Sequence, residues 1–407
     1  MNAALYQANH PDRFWKLETK PAPSADQWAA AAACAASLLP SAALDRGTAI
    51  PDLLEMTLGE GQFGPEHWRL SRARRMYYRL KPLLPRKAIG GLRRMHRRAL
   101  ETDDHGLGWP VEDRYAWFMW STVRHLLQVG GATEASFIYF WPKGCSCAFV
   151  LTHDIETAAG QRFVPRVAEL EERLGFRSSF NFVAERYPLD RGLIRDLQSR
   201  GFEVGVHGLK HDGRLFSSRR EFERRAARIN DHLRALDAVG FRSPLTHRNP
   251  EWMQSLDIEY DLSFFDTDPY EPLPGGTMSL WPFQIGRFLE LPYTLVQDFT
   301  LTDVLLETTP ALWLQKLEFL ERFNGMALLN THPDYLRTEG RFELYADFLQ
   351  QIRYRDNYWS ALPRDAARWW RERAEAEDVT SLRGAVEGVI RLREDGQVAV
   401  EVPAWVS

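Results

Sequence analysis

The stretch Cys147-Ala-Phe-Val-Leu-Thr-His-Asp-Ile-Glu156 decides how this chain folds. A run of apolar and small residues, long enough for one buried strand, ends abruptly in His153, Asp154 and Glu156. Ionisable groups are costly to bury unpaired, so such a knot is either solvated or held together for a purpose.

Working outward, the pattern after Cys147 is regular. VPRVAELEERLGF (164–176) carries apolar residues at helical spacing, and SSFNFV (178–183) reads as a strand. RGLIRDLQSRGF (191–202) predicts a helix closed by Gly201, and EVGVH (203–207) the next strand. A long amphipathic helix follows over 218–240, with Gly240 as its expected end. Weaker units lie at IEYDLSFFDT (258–267), FLELPYTL (288–295), LWLQKLEFLERFNG (312–325) and MALLNTHP (326–333). Alternating strands and helices imply a mostly parallel sheet, either doubly wound or closed as a barrel. Roughly seven strand signals favour closure, so the expectation is a distorted (β/α)7-type α/β barrel.

The flanks differ in character. The expected organisation is a mainly helical region over 1–144, the barrel over 145–360, and a small appendage over 361–407. The appendage would comprise a helix at DAARWWRERAEAE and a hairpin around Glu394-Asp-Gly396. From Arg69 to Arg98 there are 12 Lys or Arg residues and no acid. Pro82 and Pro85 divide that run into two short helical pieces. The run is either a solvated helix pair that caps the main domain, or a peripheral contact with an anionic membrane.

Composition narrows the classes further. Hydrophobic residues make up 44 % of 407, enough for a sizeable core, and a net charge of −4 gives no push toward nucleic acid. Three cysteines, Cys34, Cys145 and Cys147, do not make a disulfide framework, and without a second pair they do not make a zinc ribbon. No stretch has the apolar core of a signal peptide or the length of a membrane span, so the expectation is a soluble, cytoplasmic protein.

The polar clusters fall at strand ends: His153, Asp154 and Glu156; His207 and His211; Arg242 to His247; Asp266 to Glu271; and Asn330 to His332. In a parallel α/β barrel those ends share one face, and that face carries the site. His207 and His211, four residues apart, would sit about 6 Å from each other on one side of a helical turn. Neutral imidazole is a common divalent-metal ligand, and a carboxylate from Glu156 or Asp154 completes a set that leaves positions open. The remaining carboxylate would take a proton from water. His332 suits a general acid near neutral pH. His153 is assigned to structure, whereas His247, in a loop near Arg242, is a candidate substrate contact. Trp252, Phe264, Phe265, Tyr270, Trp281 and Tyr293 are either core or a stacking surface for sugar rings.

Taken in order, Asp-x-Glu, His-x-x-x-His, Arg-x-Pro, Asp-x-Asp-Pro and a late Thr-His-Pro resemble the polysaccharide deacetylases of the carbohydrate esterase 4 type, the NodB-homology domains. The resemblance covers roughly residues 145–350. It implies a distorted barrel that hydrolyses N-acetyl groups on sugars or polysaccharides with a divalent metal, often zinc. By resemblance Asp154 matches the catalytic base, Glu156, His207 and His211 the metal ligands, and His332 the general acid. Arg242 matches the arginine that orients the base, Asp268 the acid that tethers that arginine, and the Leu245 N–H the oxyanion donor. The sequence departs from the family at Glu156 (usually Asp), Gly208 (usually Ser or Thr), Leu245 (usually aromatic) and Asn330 (usually Leu). Two other functions stay open: hydrolysis of a different linear amide, and a catalytically silent module that binds glycan or metal.

Overall fold

Strand β1 (Glu134–Ile138) is followed by β2 (Cys147–Ile155), whose nine residues are all buried. The computed structural model, which describes residues 2–40, 49–69, 106–271 and 273–402, places β2 in the main sheet, where three other strands pair with it. A strand covered on both faces needs a continuous apolar run, which is what Cys147–Leu151 supplies. All of the basic run except Arg69 lies outside the described residues, and so does its expected membrane contact. Among the described residues no helix is long and apolar enough to cross a membrane.

The sheet continues through β3 (Ser179–Phe182), β4 (Glu203–Val206), β5 (Gly240–Phe241) and β6 (Tyr260–Asp261), all parallel. An antiparallel hairpin, β7 (Phe283–Ile285) and β8 (Phe288–Glu290), adds through β8 to β6. β9 (Met326–Thr331) and β10 (Tyr358–Ala361) both run parallel to β2, at Ala148–His153 and Cys147–Val150. The extended residues after β8 curl the sheet round. Tyr293 bridges to Phe265, and the Thr294 and Leu295 N–H groups donate to Leu328 C=O in β9 at 3.2 and 3.1 Å. The result is the distorted (β/α) barrel expected from the strand count.

The crossover helices follow their capping residues. Ala158–Leu174 starts at Thr157, whose hydroxyl accepts from Ala159 and Gly160 N–H, and stops at Gly175 with φ +89°. Arg191–Ser199 starts at Asp190 and Arg219–Leu236 at Ser218. The last of these does not run to Gly240. It ends at Asp237 in the left-handed conformation, and Gly240 opens β5. A Cβ at Gly240 would lie 2.1 Å from the Tyr260 ring, so this glycine serves strand packing rather than a helix cap.

The flanking regions join each other and the barrel. β1 pairs with β11 (Glu387–Leu392), which forms the expected hairpin with β12 (Val398–Glu401). Phe14, Trp15, Trp120, Phe140 and Trp281 pack ring to ring, with Phe14–Trp281 centroids at 4.9 Å and Trp15–Trp120 at 4.8 Å. Arg373, on the helix Pro363–Glu375, is buried and donates to Phe14, Ile138 and Tyr139 carbonyls. These contacts unite the described parts of both flanks around one aromatic core.

Candidate metal and acid–base site

The C-terminal ends of β2, β4, β5 and β9 converge. Glu156, His207 and His211 each offer a ligand atom, and these atoms all lie within 4.8 Å of one another. His211 Nε2 is 3.2 Å from Glu156 Oε1. Tetrahedral zinc keeps its ligand atoms about 3.3 Å apart, so the carboxylate–imidazole pair already has that spacing and the full set is somewhat looser.

The donor chemistry fits a divalent cation. His207 is buried, and its Nδ1 lies 3.1 Å from the Arg242 carbonyl oxygen, an acceptor only. That nitrogen therefore carries the proton, which leaves Nε2 with a free lone pair. Burial pushes the His207 imidazole down to about 4, so it is neutral at physiological pH. Burial works against the Glu156 carboxylate, but His211, His332 and His207 outweigh it and hold it ionised.

The two histidines do not occupy a helical turn, as their spacing suggested. Residues 207–213 form an irregular loop, with positive φ at Gly208 (+62°), His211 (+50°) and Gly213 (+67°). The ring centroids are 5.2 Å apart all the same. Gly208 is required twice over. Its φ suits glycine, and a Cβ there would lie 2.5 Å from the Pro244 ring. Glycine at this position thus allows close packing of the 207–213 loop on Ser243-Pro244.

Asp154 is gripped on both oxygens. Asn181 Nδ2 donates to Oδ1 and Asn330 Nδ2 to Oδ2, each at 3.1 Å. Arg242 Nη1 reaches Oδ1 at 3.4 Å and Thr152 Oγ1 at 3.0 Å, while its Nε donates to Leu262 C=O at 2.8 Å. Burial alone would raise this carboxyl, but His207, Arg242 and His332 bring it to about 2. Asn330 is therefore a hydrogen-bond donor to Asp154.

His332 is held differently. Its Nδ1 is 2.7 Å from Asp298 Oδ1, and its main-chain N–H donates to Asp298 Oδ2 at 2.8 Å. Burial disfavours the imidazolium, yet the Asp298 carboxylate, with Glu156 and Asp154 behind it, raises the histidine to about 9. The site thus pairs a carboxyl driven low with an imidazole driven high, an arrangement that could serve one proton acceptor and one proton donor.

The other expected residues fall as follows. Asp268 is buried near Glu271 and makes no hydrogen bond or ion pair with Arg242. Its Oδ1 accepts from Tyr270 N–H, and its Oδ2 has no hydrogen-bond partner among the described residues. Leu245 takes φ +60° in the turn after Arg242, and a Cβ on Gly213 would lie 3.7 Å from Leu245 Cδ1. The turn therefore borders the histidine loop. His247 is buried in the same turn, and burial, with Arg248 and His211 nearby, lowers its imidazole to about 4. His153 lies between Thr331 and Glu171, at 2.7 Å from each, and stacks on Phe180. Phe264, Phe265, Trp281 and Tyr293 are core, whereas Trp252 and Tyr270 are half-buried.

Two supporting residues lie outside the site residues expected from the sequence. Asp298 follows an unremarkable Leu-Val-Gln and reaches His332 only through the fold. Asp334 accepts from the Glu156 N–H at 2.8 Å and from the Thr157 hydroxyl, which ties the end of β2 to the end of β9. Its place two residues after His332 was the available clue.

No protein-family model and no curated protein matches the chain. Solved structures do resemble it. A candidate polysaccharide deacetylase from Mycobacterium smegmatis is 21 % identical with a TM-score of 0.47, over 57 % of this chain and 93 % of that one. A second candidate polysaccharide deacetylase, from Pseudomonas aeruginosa PAO1, gives 18 % and 0.46 over 57 % and 93 %. Puue allantoinase gives 16 % and 0.44 over 57 % and 92 %.

Proposed function

We propose that this chain is a metal-dependent hydrolase that removes an N-acetyl group from a sugar or polysaccharide. The observation that carries the reading is the meeting of Glu156, His207 and His211 beside an ionised Asp154 and an Asp298-held His332. The order of the five sequence motifs supports the same chemistry.

A divalent cation held by Glu156, His207 and His211, zinc being the family's common choice, would supply a Lewis acid that polarises the acetyl carbonyl and acidifies water. Asp154, fixed by Asn181, Asn330 and Arg242, takes a proton from the attacking water as its oxygen bonds to the acetyl carbon. The Leu245 N–H, in the turn next to the histidine loop, is the candidate donor to the oxyanion. His332 Nδ1 is committed to Asp298, so Nε2 delivers the proton to the departing sugar nitrogen as the C–N bond breaks. Acetate and an amino sugar leave. Asp154 then returns its proton to solvent, and His332 takes one up.

The test is metal analysis joined to a release screen on N- and O-acetylated oligosaccharides, scored for acetate, with other linear amides and formamides in parallel. Acetate from an N-acetylated sugar is the expected result. Release only from another amide would replace the substrate class. Bound metal with no release from any compound would reduce the site to a binding module.

A further inference from the structure

The turn that carries Leu245 is unusually constrained. Leu245 and Thr246 are consecutive non-glycine residues at φ +60° and +52°, a conformation that persists only where the surroundings over-determine it. Two side chains hold Thr246. Glu271 accepts its hydroxyl at 2.8 Å, and Arg248 Nη1 donates to its carbonyl at 2.8 Å. The Glu271 side is continuous with the base. Gln297 Nε2 donates to Glu271 at 2.6 Å, and Gln297 Oε1 accepts from Asn330, which itself donates to Asp154.

The Arg248 side leads out of the barrel. Its guanidinium lies over the Phe264 and Phe265 rings, at 5.0 and 4.8 Å. It forms a two-pronged pair with Glu60, Nε to Oε2 at 2.7 Å and Nη2 to Oε1 at 2.5 Å, and both side chains are 0 % exposed. Glu60 also receives the Gly276 N–H at 2.7 Å and faces His67 Nε2 at 3.1 Å. It has φ +57° itself. A carboxylate from the N-terminal region is thus built into the barrel mouth with every oxygen engaged, and through Arg248 it fixes the carbonyl next to Leu245.

We infer that Glu60 is a positioning residue: through Arg248 it sets the geometry of the Ser243–His247 turn, so the N-terminal region is part of the catalytic apparatus rather than a cover on it. This rests on the deacetylase reading of Leu245. A plain buried salt bridge would contribute to folding and leave the turn unchanged, so the two roles separate experimentally.

The experiment replaces both partners, Glu60→Met with Arg248→Met, because apolar residues of similar volume commonly substitute for a buried ion pair without loss of the fold. Amide hydrogen exchange over 243–247 should speed up by roughly tenfold or more, with β3 and β4 unchanged. Where the wild-type protein releases acetate, kcat should fall roughly 10–100-fold with KM within about threefold. Zinc stoichiometry should not change. An independent arm uses Glu60→Gln, which leaves the Arg248 bond to the Thr246 carbonyl available and removes only the charged grip on the guanidinium; the same local rise in exchange is expected. Unchanged exchange over 243–247 in either folded variant overturns the inference. Absence of acetate release from wild-type protein would sink the deacetylase reading instead, and the exchange arm would still decide the role of Glu60.

Discussion

Asp298 holds His332 at two points, the ring Nδ1 at 2.7 Å and the main-chain N–H at 2.8 Å. One carboxylate therefore fixes both the orientation of the imidazole and its charge. Removing that charge with Asp298→Asn should let burial win and bring His332 down from about 9. An acid must be protonated to act, so the alkaline limb of the kcat/KM profile should move to lower pH by roughly one to two pH units. The stability consequence has the same sign. A histidine raised in the folded state contributes stability that is complete below its unfolded pKa, about 6.5, and is lost as pH rises toward 9. A pH–rate series on the two proteins checks the first statement, and thermal melts at pH 6 and pH 9 check the second.

Asp154→Asn should lower turnover by several orders of magnitude while zinc remains bound, because Glu156, His207 and His211 are untouched. The variant amide also cannot satisfy Asn181 and Asn330 together, since its own NH2 would face one of their NH2 groups. Acetate release and metal content measured on one preparation decide this, and normal turnover would remove Asp154 from the mechanism.

Asp268→Asn separates the sequence expectation from the geometry. Arg242 is held by Thr152, Asp154 and the Leu262 carbonyl, with no hydrogen bond or ion pair to Asp268. Turnover should therefore stay within about threefold of wild type, whereas a true tether would cost 10-fold or more. Burial and the neighbouring Glu271 raise the Asp268 carboxyl in the folded state. A raised acid opposes folding increasingly as pH climbs above its unfolded value, so the variant should match or exceed wild-type Tm at pH 8.

Gly208→Ala should destabilise by roughly 1–3 kcal/mol, from the positive φ together with a methyl driven into Pro244. Because the strained residue adjoins His207, zinc affinity should weaken as well. Chemical denaturation and a zinc titration on the variant read the two effects.

How much was visible in the residues follows from burial. β2, β3, β4 and β9 lie covered on both faces, so their apolar runs stand out and their polar ends mark the mouth of the barrel. β5 and β6 are two residues each and leave almost no pattern; the ring closes there and through Tyr293–Leu295 by tertiary contact. The His-x-x-x-His pair was legible as spacing but not as conformation, because the glycines at 208 and 213 allow an irregular loop in place of a turn of helix. Glu60 and Asp298 lie 188 and 34 residues from their partners, and no local rule links such positions. The six aromatic residues read as either core or a stacking surface split between burial classes: Phe264, Phe265, Trp281 and Tyr293 fill the interior, and Trp252 and Tyr270 are half-buried.

The most direct measurement is a calorimetric titration of Zn2+ into metal-stripped protein, repeated on Glu156→Ala, His207→Ala and His211→Ala. One ion per chain is expected, with affinity reduced by roughly 100-fold or more in each variant. A wild-type protein that binds no zinc, or three variants that bind it as tightly as wild type, would contradict the assignment of these residues to a common cation.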